Sequence, residues 1–382
     1  MDWETVKNVE VVKGLVASLY GTSATGGIIN ITTKDGGSKP VNSSMYASAG
    51  SNGFRKILGQ VDGTQGNVNY RISYSHVQSH GYRVHQASMA YNLSEKLTWT
   101  PSKKIKVIQL LTYTSYFNQN SEGINLSRYD MVGHKAANTD AIRYNEFHKT
   151  QRLTGATIVR YDFAKNQDIT VKGFIRLNNY QETSNNGDDF KPYVNQGKSA
   201  QYNLHFGKEN LFNHLSLGVD YQSMKMTEHL FAVPDGDHIN NDRVDNYWSE
   251  EVFDLNTTLI NQVIRQRSTR LFLIDKLDIA KKLYALLNVR YDYVYNRLDS
   301  STVSDNKTFQ KPSTSMGGEL GVRGEVGKSF YYDVTGFLVN SKDEFYRYRV
   351  PGRGNNTAFY GNMGASKRWV LRPTSHTIPL TF

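Results

Sequence analysis

Three histidines, His76, His80 and His85, fall within ten residues, and three aspartates, Asp235, Asp237 and Asp242, crowd a second short stretch. Clustered imidazoles suit a transition metal and clustered carboxylates suit calcium. Strand geometry and missing partner ligands count against both, so no metal site is expected. Gly21 and Gly26 stand at the spacing of the two glycines in a phosphate-binding loop, but Gly27 and Ile28 follow where that loop needs lysine and a hydroxyl. No Gly-x-Gly-x-x-Gly fingerprint, Ser-His-Asp order, His-Glu-x-x-His motif or carboxylate pair stands in a catalytic context. The expectation is a protein without catalytic residues and without a cofactor.

The elements that would position such residues are constrained by composition. The chain has 382 residues, no cysteine, 31 glycines and only 8 prolines, with 25 tyrosines against 17 phenylalanines. That is enough chain for a large fold or two domains, and it holds no disulfide and no cysteine-based zinc site. Mean hydropathy is −0.56, and no run of about 18 apolar residues occurs, so transmembrane helices are excluded. A transmembrane barrel is not, because its strands alternate lipid-facing apolar residues with polar ones and average to a hydrophilic composition. The net charge of +10 comes from 45 basic against 35 acidic residues, scattered rather than in runs. This reads as a solvated surface with no nucleic-acid partner. Met1-Asp2-Trp3-Glu4 lacks the features of a secretory signal, so export was dealt with upstream or this is not the natural start.

From about Arg55 the sequence is a series of segments with period-two alternation. Leu283, Ala285, Leu287, Val289, Tyr291, Tyr293 and Tyr295 fall on one face, with Asn288, Arg290, Asp292 and Asn296 on the other. Val68, Tyr70, Ile72, Tyr74 and His76 alternate with Asn69, Arg71, Ser73 and Ser75, and Ile169, Val171, Gly173, Ile175 and Leu177 with Asp168, Thr170, Lys172 and Arg176. Strand starts near Arg55, Val68, Met89, Ile105, Leu153, Ile169, Gln201, Leu215, Leu255, Arg270, Leu283, Glu319 and Tyr331 give about thirteen strands. Tight turns at 100–104, 164–167 and 278–282 contrast with long polar connections at 118–150, 181–199, 227–254 and 299–315. Alternation of tight turns with long loops is an outer-membrane barrel pattern that a soluble sandwich has no reason to keep. Trp99, Tyr113, Tyr116, Tyr161, Tyr180 and Tyr295 near strand ends suit interfacial girdles.

Residues 9–34 read as strand, glycine turn, short helix, glycine turn and strand. Glu10, Val11, Lys13, Gly14, Leu19, Tyr20, Gly21, Gly26, Gly27, Ile29, Asn30 and Ile31 match a pattern that resembles the end of the plug domain of TonB-dependent receptors, with Leu15 where that family usually carries proline. Segments 319–324, 332–335 and 348–353 resemble strands and a loop of the same receptors, in the iron-uptake branch. The resemblance implies an all-β fold: a transmembrane antiparallel β-barrel, partial and of a 22-stranded type, preceded by the C-terminal remnant of an α+β plug domain. It divides the chain into residues 1–40 as plug, 41–369 as incomplete barrel and 370–382 as an atypical tail.

The resemblance further implies an outer-membrane receptor for energy-coupled uptake of a ferric siderophore or similar scarce ligand. Its expected partners are outer-membrane lipid and the TonB energy-coupling protein, whose contact box would lie before Met1. Plug motif residues Glu10, Lys13, Gly14, Tyr20, Gly21, Gly26, Gly27 and Asn30 carry the assignment. Ferric siderophores are often anionic and partly aromatic, so Arg128, Arg143, Tyr144, Arg243, Tyr247 and Trp248 in the outer loops are the candidate ligand-binding residues. Thirteen strands in about 290 residues would extrapolate to roughly 490 for 22, so the chain is expected to be a fragment. Segment 315–319 is read as the site of an internal deletion. The competing reading is a non-transporting structural or adhesive β-protein derived from such a receptor; a plain porin lacks the plug segment.

Overall fold

Successive side chains of a strand leave on opposite faces, so alternation of apolar and polar residues gives one face fit for lipid and one for water. That pattern organises almost the whole chain. The computed structural model describes residues 2–12, 28–185, 187–208, 211–232, 254–300, 312–326, 330–348 and 359–377. After a 3-10 turn at Trp3–Thr5, β1 (Val6–Val12) and β2 (Ile28–Thr33) form an antiparallel pair of their own.

Fourteen strands then follow: β3 (Asn42–Ala49), β4 (Arg55–Gln65), β5 (Val68–Ser79), β6 (Ser88–Ser102), β7 (Ile105–Gln119), β8 (Phe147–Ala164), β9 (Gln167–Ser184) and β10 (Gly187–Lys208) in the first part. The second part holds β11 (Leu211–Ala232), β12 (Asp254–Ala280), β13 (Leu283–Ser300), β14 (Ser313–Val326), β15 (Phe330–Tyr348) and β16 (Phe359–Thr377). Two short helices, α1 (Leu126–Val132) and α2 (Thr139–Arg143), lie between β7 and β8. Each strand of the large sheet pairs with its sequence neighbours, so the order from β3 to β16 is one antiparallel meander. No described helix is long and apolar enough to cross a membrane, a test that does not bear on strands.

The two ends of the sheet differ largely as the sequence predicts, the connection from β9 to β10 being the exception. At one end the connections 66–67, 103–104, 165–166 and 281–282 have two residues each; at the other stand the longer connections 80–87 and 120–146. The faces differ too. On β13 Leu287, Val289, Tyr291 and Tyr293 are 37% to 42% exposed, whereas Asn288, Arg290 and Asp292 between them are 2% to 5% exposed. On β5 Ile72 and Tyr74 are exposed and Ser73 and Ser75 buried. A soluble sheet buries its apolar face; here the polar face is the covered one, the inversion that a lipid environment requires.

Burial of polar groups demands partners. Asp168 Oδ2 accepts from Asn203 Nδ2 at 2.7 Å, and Asn203 Oδ1 accepts from Ser216 Oγ at 2.7 Å, linking β9, β10 and β11. Arg290 pairs with Asp292 at 2.9 Å on β13, and Arg323 of β14 with Asp333 of β15 at 2.9 Å.

Several expectations are corrected. Residues 254–280 form one strand, not two starting at Leu255 and Arg270. The polar run that suggests a break places Gln266, Ser268 and Arg270 on the covered polar face, where Ser268 is buried. Segment 181–199 is not a long connection: β9 and β10 pair across it from Gly187↔Ser184 inward. Strands of 18 and 22 residues exceed the 9–11 that span a bilayer, so their polar ends continue the ladder past the lipid. Sequence reasoning also omits β3 and β16. Segment 315–319, the expected site of an internal deletion, lies within β14, with Met316 opposite Tyr291 on one side and Asn340 on the other; this pairing neither supports nor opposes the loss of strands there. Residues 370–377 of the tail expected to be atypical continue the ladder, since β16 pairs with β15 as far as Thr377; Pro373 is accommodated because β16, among the described residues, pairs on one side only.

Candidate functional site

The β1–β2 hairpin brings two residues of the plug motif together. Glu10 lies opposite Asn30, whose Nδ2 donates to Glu10 Oε2 at 2.9 Å, while Asn8 Nδ2 donates to Oε1 at 3.0 Å. The carboxylate is thereby satisfied inside the hairpin, and pins its register. Lys13, Gly14, Tyr20, Gly21, Gly26 and Gly27 lie outside the described residues.

The hairpin and its flanks meet the polar face of β4, β5 and β6 through charge. Lys56 on β4 donates to Glu4 Oε2 at 2.6 Å and pairs with Asp2 Oδ1 at 3.1 Å. Lys96 on β6 pairs with Asp35 Oδ1 at 2.8 Å and donates to the Thr33 carbonyl at 3.1 Å. Between them, Arg71 on β5 donates to the Asp35 carbonyl at 3.1 Å and to Gln60 Oε1 at 2.6 Å. Ser75 donates to the Asp2 carboxylate in a short bond. Two largely covered lysines on the wall thus hold three carboxylates of the segment before β3, and Arg71 holds one of its backbone carbonyls. The hydrogen bond from Lys96 holds the Asp35 carboxyl below its ordinary range, and that from Lys56 does the same for Glu4.

Backbone contact tightens the join. Gly36 N–H donates to Asn69 Oδ1, and Asn69 Nδ2 donates back to the Gly36 carbonyl, both at 2.9 Å. A Cβ on Gly36 would stand 2.2 Å from the Tyr70 carbonyl oxygen, so only glycine allows this approach. Gly37 N–H donates to the buried Asp62 carboxylate at 2.7 Å.

At the long-loop end, Arg83 gathers the 120–146 connection. Its guanidinium donates to the Ala136 carbonyl at 2.8 Å and to the Glu122 carbonyl at 2.8 Å. His85 Nε2 meets the Glu146 carbonyl at 2.8 Å, and the Asn185 N–H donates to Glu146 Oε1 at 3.1 Å. Burial pushes the Glu146 carboxyl up and the His85 imidazole down.

Of the ligand-binding candidates, Arg128 sits on α1 and donates through Nε to the Ala137 carbonyl at 3.0 Å. Arg143 ends α2 and lies 5.6 Å from the ring centroid of Tyr144, so these three share one loop. Arg243, Tyr247 and Trp248 lie outside the described residues, as do Asp235, Asp237 and Asp242. His76 stacks on Tyr91 at 4.5 Å, apart from His85 in the loop. Among the described residues no three of His, Asp or Glu are grouped to hold a metal ion.

No family model matches the sequence. Solved structures do match the fold. The unliganded ferric citrate transporter FecA aligns with a TM-score of 0.67 at 15% identity, over 96% of this chain and 60% of that one. The chain has the barrel fold of TonB-dependent receptors. The siderophore receptor PiuA of Acinetobacter baumannii aligns at 0.68 and 14% identity, over 95% of this chain and 65% of its own. BauA, the ferric preacinetobactin receptor of the same organism, aligns at 0.65 and 16% identity, over 99% and 66%. The chain therefore spans between three fifths and two thirds of the length of these receptors.

Within this receptor fold, sequence reasoning singled out the hairpin and the loop cations but missed Lys56, Arg71 and Lys96. A signal was present: each occupies a polar-face position on consecutive strands at the start of the barrel, nearest in sequence to the acidic segment they hold.

Proposed function

We propose that the protein is an outer-membrane receptor that takes up a ferric siderophore or similar scarce iron complex, using energy relayed through a TonB partner. The observation that carries this reading is the pair of segments flanking the β1–β2 hairpin, whose Glu4 and Asp35 are ion-paired to the covered polar face of a sheet whose apolar face is exposed. A wall of that kind suits lipid outside and water inside, and a docked segment inside it suits gated rather than free passage. Residues 1–40 then act as the end of the plug and 41–369 as barrel wall. Support comes also from the neighbours, whose names tie them to ferric citrate, siderophores and ferric preacinetobactin.

In this reading the loop that carries Arg128, Arg143 and Tyr144, together with Arg243, Tyr247 and Trp248, supplies cations and aromatic faces to an anionic iron complex. Release inward requires the contacts of Lys56, Arg71 and Lys96 with the plug segment to open. Such pairs are suited to that role: bridged through side chains and partly wet, they hold the segment without the irreversible cost of separating a dry apolar interface.

The test is uptake. The chain, joined to the signal and early plug segment with its TonB contact box that the receptor resemblance places before Met1, is directed to the outer membrane of a bacterium lacking its own ferric-siderophore receptors and offered radioactive iron bound to citrate, catecholate and hydroxamate chelators. Uptake of one class, abolished by a protonophore, is the expected result. Membrane insertion without uptake of any class above the empty strain would overturn the proposal.

A further inference from the structure

On the polar face near the tight-turn end, away from the hairpin contacts, two histidines face each other across β10 and β11. His205 Nδ1 and His214 Nδ1 are 3.0 Å apart, on directly opposed residues. The rings stand nearly perpendicular, at 71°, with centroids 5.1 Å apart. The other nitrogen of His214, Nε2, lies 2.9 Å from Asp278 Oδ2 on β12, and Lys276 holds Asp278 Oδ1 at 2.7 Å.

We propose that His205 and His214 form a binding site for a divalent transition-metal ion of the tetragonal kind, copper or nickel. The Asp278 carboxylate accepts a hydrogen bond from His214 Nε2–H, the tautomer that presents the Nδ1 lone pair toward His205; His205 Nδ1–H donates to that lone pair in the free protein, and metal binding requires the His205 proton to be carried on Nε2 instead. A carboxylate behind a ligating histidine is the usual device that fixes tautomer and ring orientation and raises ligand basicity. The spacing selects the coordination geometry. Two nitrogens about 2.1 Å from one ion are about 3.0 Å apart when they subtend a right angle and about 3.4 Å apart at a tetrahedral angle. The observed 3.0 Å corresponds to adjacent positions of a square or octahedral set.

The scaffold suits such a site. Both ligands sit on rigid, paired strands, and the His214 side chain keeps 37% of its surface accessible, which leaves a route for the ion and room for water in the remaining positions. Among the described residues no group of three metal-ligating side chains forms there, and Asp278 stands behind His214 rather than beside both rings, so the ion is held by two rings and solvent and binds as an exchangeable ion rather than a permanently buried one. Bound metal would staple β10 to β11 beside their connection.

The test uses the untagged full chain in detergent micelles and nickel ion alone. Wild-type protein is expected to bind one equivalent with micromolar affinity and to gain thermal stability on binding. His205→Ala and His214→Ala should each lose that equivalent, and Asp278→Ala should weaken it by about 10- to 100-fold. His148→Ala, a histidine elsewhere on the polar face, should bind as wild type. Should a variant fail to fold, copper-loaded wild type is examined by electron paramagnetic resonance, where two strongly coupled nitrogens are expected. Absence of nickel binding, unchanged binding in both His205→Ala and His214→Ala, or a copper spectrum with fewer than two nitrogens would overturn the proposal. Iron-complex uptake is not read in any of these measurements, so the two proposals stand or fall separately.

Discussion

Lys96 and Asp35 show how a single contact sets the conditions under which the hairpin stays in place. Both Asp35 and Glu4 have carboxyl groups held below their ordinary range by lysine hydrogen bonds. A carboxyl whose folded value is depressed stabilises the docked state fully above its unfolded value of about 4, and loses that contribution as pH falls through the folded value. The hairpin should therefore stay docked at neutral pH and release only in strong acid. Lys96→Gln should move the release to higher pH, read as protease cleavage of the segment before β3 across a pH series; an unchanged profile would show that the lysine does not hold it. Gly36 is the steric counterpart. Gly36→Ala places a methyl against the Tyr70 and Gly63 carbonyls, atoms fixed by the ladder, and should weaken docking by about 1–3 kcal/mol, measured as faster cleavage of the same segment with the barrel intact.

At the scale of elements, the connection between β7 and β8 is ordered by a few buried groups rather than by its two short helices. Glu146 and His85 pull in opposite directions with pH. The raised carboxyl of Glu146 costs the loop stability as pH rises above the ordinary carboxylate value, whereas the depressed imidazole of His85 costs it stability as pH falls below about 6.5. Glu146→Gln keeps an acceptor for the Asn185 N–H while removing the first effect. The variant loop should be better protected at pH 8 than wild type and should retain the acid-side loss, as followed by amide hydrogen exchange over residues 120–146; equal protection at pH 8 would count against the buried charge.

At the scale of the whole molecule, the exposed apolar face and the covered polar face make opposite demands. Val289→Arg puts a charge on the lipid face and should cost about 2–4 kcal/mol if it lies near the bilayer midplane, seen as poorer membrane assembly and a lower unfolding midpoint in liposomes, while Ala285→Val should be nearly silent. The faces themselves are legible from sequence, because period-two alternation is a local property: Leu287 and Asn288 disclose their sides with no knowledge of their neighbours. Glu10 and Asn30 are likewise legible as members of one short strand-turn-strand run, and they meet across β1 and β2. Local pattern failed where strand length exceeded the lipid thickness, as in 181–199 and 254–280, because polar residues standing in water look the same in strand and loop. Alternation along each segment settles where the strands lie and which face each side chain takes; that Lys56 and Lys96 hold Asp2, Glu4 and Asp35, that Arg71 reaches the Asp35 carbonyl, and that His205 meets His214 emerge only in the folded chain, because cross-strand register is fixed by hydrogen bonds between segments, a quantity that no single segment contains.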